Sequence, residues 1–174
     1  MNKAEVTEIF AVLMVAYPNA EMFKAPDKDS LKAKLVSTVT LWTTCLRDID
    51  FWTAQQAVVR VCRTCKFPPT IAEMREAAEV VLHETEAEIS NAYLMARNEL
   101  TIAGAMGRTR EQALDRMPAR TRKTIEAMGG IDAFMPPDKG RFEMARFERT
   151  YKTLLRKNPT GLPGSTAGQR QITD

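Results

Sequence analysis

The chain has 174 residues, of which 44% are hydrophobic and 27% are charged, a composition typical of globular proteins. No apolar run approaches the ~18 residues of a membrane-spanning helix, and no basic segment followed by an apolar one marks a secretory signal at the N-terminus. The three cysteines, an odd number, favour a reducing compartment with free thiols. We therefore expect a cytoplasmic globular protein.

Charge is distributed unevenly along the chain, although the net charge is only +3. Residues 1–70 carry nine basic and seven acidic side chains, residues 71–100 carry two and seven, and residues 101–174 carry fourteen and eight. A mildly basic head, an acidic middle and a basic C-terminal third suggest separate surfaces for separate partners. The alternative is that charge simply fluctuates between solvated faces.

Apolar residues recur at steps of three and four throughout the chain, and no segment alternates as a strand does. Capping residues predict helix starts after Asn2, one of Asp27, Asp29 or Ser30, Asp50, Thr70 and Thr109. Pro118 is predicted to begin a short helix that Gly129 and Gly130 end. A last amphipathic helix is predicted from Gly140 to Lys157.

The run Phe67-Pro-Pro-Thr-Ile-Ala-Glu73 predicts a turn between two helices. The prolines end one helix, and Thr70 with Glu73 forms a capping box that begins the next. Phe67 is expected to insert into the core and fix the angle between the helices. The second helix has no Pro or Gly before Gly104, and its predicted length of ~30 residues is long enough to join two parts of the molecule.

These patterns predict an all-α fold with a four-part organisation. A compact N-terminal helical bundle is expected over residues 1–82, and a connecting helical arm over residues 83–107. A small basic helical element is expected over residues 108–157. A disordered tail, rich in Gly, Pro, Ser and Thr, is expected over residues 158–174.

Catalytic and cofactor motifs are missing from the sequence. His83 is the only histidine, and the four serines lie in no nucleophile motif, so a triad-type hydrolase lacks its parts. No Gly-x-x-x-x-Gly-Lys-Ser/Thr segment is present, so ATP binding through a P-loop is not expected. Cys62 and Cys65 fall on one apolar helix face, which favours structural thiols over a zinc or redox site. We therefore expect no enzyme activity, no cofactor and no metal.

Two basic clusters in the C-terminal third form the candidate partner-binding site. One follows a face of the last helix, and the other lies in the short helices before it. A docking function predicts binding of an acidic partner or a phosphate backbone, whereas a solvated basic face beside a core face explains the last helix without a partner. The candidate residues are Arg146, Phe147, Arg149, Tyr151, Lys152 and Arg156 in the last helix and Arg120, Arg122 and Lys123 in the short helices.

An ordered set of short segments carries a family resemblance. It comprises Glu8-Ile-Phe-Ala, Ala16-Tyr-Pro18, Leu41-Trp42, Leu46-Arg-Asp48, Ala54 with Ala57-Val58, and Lys66-Phe-Pro-Pro-Thr-Ile-Ala-Glu73. On these segments, residues 1 to about 80 resemble the phage-encoded loader and inhibitor of the bacterial replicative helicase. Met117-Pro118, residues 125–130 and residues 146–151 resemble, more loosely, a tail of longer phage replication proteins.

The resemblance implies a non-enzymatic adaptor in the cytoplasm of the bacterial host. Proteins of this kind bind a hexameric DnaB-type helicase, restrain it and help deliver it to a replication origin through an origin-binding phage protein. They do not hydrolyse ATP, and they combine a helical N-terminal domain with a flexible C-terminal part that engages the helicase. Two other functions stay open: a small basic DNA-binding replication or regulatory protein, and a structural phage protein.

Overall fold

The computed structural model describes residues 1–136 and 143–157. Within these ranges the chain contains eight α-helices, one short 3-10 helix and no strand, which confirms the predicted all-α fold. The helices are α1 (Lys3–Ala16), the 3-10 helix (Glu21–Phe23), α2 (Lys28–Cys45), α3 (Phe51–Thr64), α4 (Ile71–Ala105), α5 (Arg110–Asp115), α6 (Ala119–Ala127), α7 (Ile131–Phe134) and α8 (Met144–Lys157). The predicted tail, residues 158–174, lies outside the described residues.

The helix starts follow from local side-chain chemistry. A short polar side chain accepts a hydrogen bond from the free backbone N–H groups of a helix's first turn, and five predicted caps do so: Asn2, Asp27, Asp50, Thr70 and Thr109. Glu5, Glu73 and Gln112 bond back to the cap backbone and complete three capping boxes. The sequence therefore predicted these boundaries correctly because the interactions span only three residues.

The start of α8 has a different cause. The helix begins at Met144, and Glu143 before it is not helical. The Glu143 N–H donates to the Phe134 carbonyl at 3.0 Å, which holds the residue beside α7. Glu143 also accepts from the Phe147 N–H at 3.0 Å, so its carbonyl opens the helix. The predicted start at Gly140 lies outside the described residues.

By its internal contacts the chain divides into two compact units. Among the described residues, the N-terminal unit is Met1–His83, and the C-terminal unit runs from Glu84 to Lys157. The division falls within α4, so this helix contributes its first turns to one unit and the rest to the other. The four-part organisation expected from the sequence stays a prediction.

The core of the N-terminal unit is built by α1, the 3-10 helix, α2, α3 and the first turns of α4. Phe10 is buried in it, with its ring edge-on to Trp42 at 4.9 Å and to Phe23 at 6.3 Å between ring centroids. Such edge-to-face pairs stabilise a core beyond the area they bury. The buried residues of this core are Val6, Ile9, Phe10, Leu13, Phe23, Val39, Trp42, Leu46, Ala54, Ala57, Val58, Val61, Met74, Ala77 and Ala78.

Phe67 was expected in this core, and that prediction is wrong. Its side chain is 71% exposed, and the Lys66 ammonium lies 5.8 Å from the ring centroid. Helix α3 ends at Thr64 and Cys65 is extended, so Phe67 no longer continues the apolar face of the helix. In the turn that follows, Pro69 is the buried residue.

The break between α2 and α3 is held by groups from distant parts of the N-terminal unit. The Met1 ammonium donates to the carbonyls of Arg47 and Ile49, both at 2.9 Å. Arg75 of α4 binds Asp48 with both terminal nitrogens, at 2.9 and 2.8 Å, and also donates to the Cys45 carbonyl at 2.7 Å. The hydrogen bonds from Arg75 lower the pKa of Asp48 to about 2.

The C-terminal unit packs α6 and α7 against α8, and its core includes the later turns of α4. Gly129 and Gly130, with φ of 103° and 88°, end α6 and lead into α7, a short helix that the sequence pattern did not predict. The buried residues of this core are Ile89, Ala92, Ala96, Leu100, Ala103, Ala113, Met117, Ile125, Met128, Ile131, Phe134, Phe147, Tyr151 and Leu155.

Candidate partner-binding surface

Helix α8 has two clearly different faces. Phe147, Tyr151 and Leu155 recur at four-residue steps and are buried in the C-terminal unit. Arg146 and Arg149 lie three residues apart on the exposed side. The helix therefore attaches to its own unit through one face and presents a basic face to solvent.

An aromatic cluster fixes the buried face of α8. The Phe147 ring lies 5.5 Å from Phe134 of α7 and 5.8 Å from Tyr93 of α4, measured between centroids. Tyr93 and Phe134 are 5.7 Å apart, and Tyr151 adds a fourth ring 5.7 Å from Phe147. Each pair at this spacing contributes roughly 0.5–1.5 kcal/mol beyond the area it buries. The position of the basic face is set by these four rings.

Two hydrogen bonds to the Glu88 carboxylate also hold α8 in this orientation. The Tyr151 hydroxyl donates to Glu88 Oε1 at 2.8 Å, and Arg120 of α6 donates to the same oxygen at 2.7 Å. Burial, together with the hydrogen bond to the Glu88 carboxylate, raises the pKa of Tyr151 to about 12. Glu88 thus joins α4, α6 and α8, a role that the sequence did not reveal because Tyr151 follows it by 63 residues.

Phe147 and Tyr151 were predicted as partner-binding residues, and the structure places both side chains in the core of the C-terminal unit. Phe147 is 0% and Tyr151 3% exposed, so neither side chain reaches the surface of the described unit. The reason is amphipathic packing, since their face is the one that α6 and α7 cover. These two residues hold the basic face in place rather than form part of it.

The basic residues of α8 differ in whether an acidic side chain neutralises them. Lys152 is half-buried and donates to Glu148 at 2.7 Å, one helical turn earlier. Arg146 and Arg149 are exposed, and neither forms an ion pair with any acidic residue in ranges 1–136 and 143–157. Arg156 is exposed near the helix end, where a cation complements the C-terminal dipole.

The basic residues of α6 are more fully paired. Arg120 binds Glu88 at 2.7 Å, and Arg122 lies 3.2 Å from Asp115. Lys123 is exposed and has no acidic partner among the described residues. Of the nine candidates, therefore, Arg146, Arg149 and Lys123 carry the most available positive charge, and the partner-binding role of all nine stays a prediction.

The other candidate chemistry lies in the N-terminal unit. Cys62 and Cys65 are free thiols and half-buried, and the Tyr17 hydroxyl donates to the Cys65 carbonyl at 3.0 Å. Burial raises the pKa of the Cys62 thiol, which disfavours the reactive thiolate. Across the described ranges, no three His, Cys, Asp or Glu side chains are grouped closely enough to hold a metal ion. None of the described helices is both long and apolar enough to cross a bilayer.

Comparison with known families finds a similarity in the first part of the chain. Residues 1–75 match the family model for the N-terminal domain of the phage helicase loader/inhibitor. Residues 1–75 are thus similar to the N-terminal domain of this loader/inhibitor family. The resemblance predicted for residues 1 to about 80 is therefore confirmed. No curated protein and no solved structure matches the chain.

The loader/inhibitor match ends just inside α4. It covers α1, α2, α3 and the turn with Phe67, Thr70 and Glu73, which carried the strongest sequence resemblance. The basic faces of α6 and α8 lie beyond residue 75. The family similarity accordingly concerns the N-terminal unit and does not extend to the basic faces.

Proposed function

We propose that the protein is a non-enzymatic adaptor of phage DNA replication. It binds the hexameric DnaB-type replicative helicase in the cytoplasm of the bacterial host, restrains it and helps load it onto DNA. The observation that carries this proposal is the loader/inhibitor domain at residues 1–75. The absence of a P-loop from the sequence agrees with a role that leaves ATP hydrolysis to the helicase.

The basic face of α8 is the proposed helicase contact. Arg146 and Arg149 are exposed and unneutralised by described residues, and four packed rings hold their helix in place. Such a preformed cationic surface favours an acidic patch on the partner and speeds their encounter at low salt. Lys123 of α6 is a further cation for the same partner, and an origin-binding phage protein is the expected second partner of the adaptor.

The adaptor proposal is tested by co-purification of the full chain with the host helicase. Mass determination of the complex and an unwinding assay then measure stoichiometry and effect. We expect a stable complex with the hexamer and slower unwinding at excess adaptor. Failure to form any complex at micromolar concentrations would overturn the proposal.

The contact itself is tested with the variant Arg146→Glu/Arg149→Glu. We expect helicase affinity to fall at least tenfold, because two attractive charges become repulsive. Arg47→Glu/Arg63→Glu is the matched control, since it makes the same charge change at exposed residues of the N-terminal unit. Unchanged helicase binding by the α8 variant would remove this face from the interface and leave the adaptor proposal standing.

DNA binding is a second candidate function, favoured by the same unneutralised cations. Protein that contacts phosphates releases counterions, so its DNA affinity falls steeply as salt rises. Titration of single- and double-stranded DNA between low and physiological salt distinguishes the two functions. The DNA-binding function is supported if the chain binds DNA measurably and Arg146→Glu/Arg149→Glu abolishes this binding. It is excluded if the chain shows no DNA affinity at low salt.

A further inference from the structure

The N-terminal unit contains an apolar groove that the proposed function does not use. It lies between α1 and α2, has a volume of about 310 Å³ and is lined by Lys3, Thr7, Lys28, Leu31, Lys32, Leu35, Val36 and Val39. Its floor is aliphatic, since Leu31 and Leu35 are half-buried and Val36 remains 46% exposed. Leu31, Leu35 and Val36 thus form one contiguous apolar patch, and such patches are candidate contacts for a partner.

The charged residues that line the groove are all basic. Lys3 from α1 and Lys28 and Lys32 from α2 line it, and no carboxylate does. None of the three lysines forms an ion pair with a residue of the described ranges. An occupant that combines apolar side chains with flanking carboxylates would therefore bury the floor and neutralise the rim at once.

The geometry of the groove favours a helical occupant. The apolar positions Leu31, Leu35 and Val39 follow one face of α2 at steps of four, which spans about 12 Å along the helix. An amphipathic helix lying along such a row places its own residues at steps of three and four against it. A second copy of the chain using the same groove is disfavoured, because two-fold symmetry would bring the lysines of both copies together.

We infer that the groove between α1 and α2 is a docking site for an acidic amphipathic helix of a partner protein. Apolar residues of that helix contact Leu31, Leu35 and Val36, and its flanking Asp or Glu residues pair with Lys3, Lys28 and Lys32. The site is separate in sequence from the basic faces of α6 and α8. An adaptor with this groove has a protein-binding site inside its loader/inhibitor domain.

The test is a selection that does not involve the helicase, so its outcome is independent of the proposed function. The full chain is used to select from a library of helical peptides with fixed apolar positions i, i+3, i+4 and i+7 and randomised flanks. We expect selected peptides to be enriched in Asp and Glu and to bind with micromolar Kd. Enrichment of neutral or basic flanks, or no enrichment above an unrelated helical protein, would overturn the inference.

Variants of groove residues test whether the selected peptides bind in the groove. Val36→Glu should weaken binding at least tenfold, whereas Val15→Glu, at an apolar residue that is 83% exposed and outside the groove, should leave it unchanged. Lys28→Glu/Lys32→Glu should reject the acidic peptides and bind their Lys-substituted versions, and this exchange of preference also shows that the variant is folded. The inference would be contradicted if the Val36→Glu protein bound the peptides as well as the unchanged protein does. It would also be contradicted if sedimentation showed a dimer that Val36→Glu dissociates, because the occupant would then be a second copy of the chain.

Discussion

The Tyr151 hydroxyl donates to the Glu88 carboxylate at 2.8 Å and thereby ties the last described helix to α4. Tyr151→Phe removes this hydrogen bond and keeps the ring. We expect a loss of about 1 kcal/mol in stability, the usual net value of an intramolecular hydrogen bond. Hydrogen exchange of the α8 amides measures it, because the cost should appear there before it appears in the N-terminal unit. Tyr93→Leu, which keeps Glu88 bonded but removes a ring of the same cluster, separates loss of packing from loss of the bond.

The same hydroxyl predicts a dependence on alkaline pH. Its pKa is raised to about 12 from an ordinary value of 10.0, so the folded C-terminal unit favours the protonated form. The stabilising contribution is fully present below about pH 10 and is lost as pH rises through about 12. Tyrosinate absorbance should therefore show a late-titrating residue that disappears in Tyr151→Phe. A titration curve unchanged by the substitution would contradict the assignment.

The pair of Arg75 and Asp48 predicts the opposite dependence, at acidic pH. The pKa of Asp48 is lowered to about 2 from 3.8, so its contribution to stability is present above about pH 4 and is lost as pH falls through about 2. Asp48→Asn should reduce the free energy of unfolding at neutral pH and make it decline less as pH falls. Urea unfolding at each pH measures both effects. Asp29→Asn, an exposed acidic residue in the first turn of α2, is the matched control and should leave the decline intact.

Phe67 and Phe10 provide a direct test of the corrected turn. Phe67→Ala should change stability by less than about 0.5 kcal/mol, as is usual for exposed side chains. Phe10→Ala should cost about 3–5 kcal/mol, since that ring is 3% exposed and packs against Trp42. Unfolding followed by tryptophan fluorescence measures both variants. Similar large losses would mean that Phe67 packs into the core after all.

Substitution of Gly130 is expected to destabilise the protein through the backbone and not through side-chain contacts. Its φ is 88°, and a Cβ added there would meet nothing within 4 Å. Gly130→Ala should still destabilise the protein by roughly 1–3 kcal/mol, because L-residues rarely adopt this conformation. Ala133→Gly in α7 removes one methyl group where Gly130→Ala adds one, and it serves as a comparison. Because the added Cβ has no atom to crowd, a lower midpoint in calorimetric unfolding would report backbone strain. An unchanged midpoint for Gly130→Ala would contradict strain at this turn.

The sequence predicted those features whose causes are local. The caps at Asn2, Asp50 and Thr109 were predictable because donor and acceptor lie three residues apart. The pairing of Glu88 with Tyr151 depends on how helices pack and leaves no local pattern. The two faces of α8 were visible in the sequence, but only packing against α6 and α7 decided that the aromatic face belongs to the core.

The groove between α1 and α2 was missed for a related reason. Lys28 and Lys32 lie one turn apart and flank Leu31 and Leu35, a pattern that occurs equally on an ordinary surface helix. What distinguishes the groove is that Val36 stays open beside α1, which depends on the spacing of two helices. A helix–helix spacing is not written in the sequence of either helix alone.

The continuity of α4 bears on how this protein should be dissected. The family match stops at residue 75, yet Ala77 and Ala78 belong to the same buried cluster as Phe10 and Trp42. A fragment that ended with the match would expose that cluster and lose two of its members. The end of the family match and the end of the packed unit therefore differ by about two helical turns, since the N-terminal unit reaches His83. Fragments designed to isolate the loader/inhibitor domain should extend at least that far.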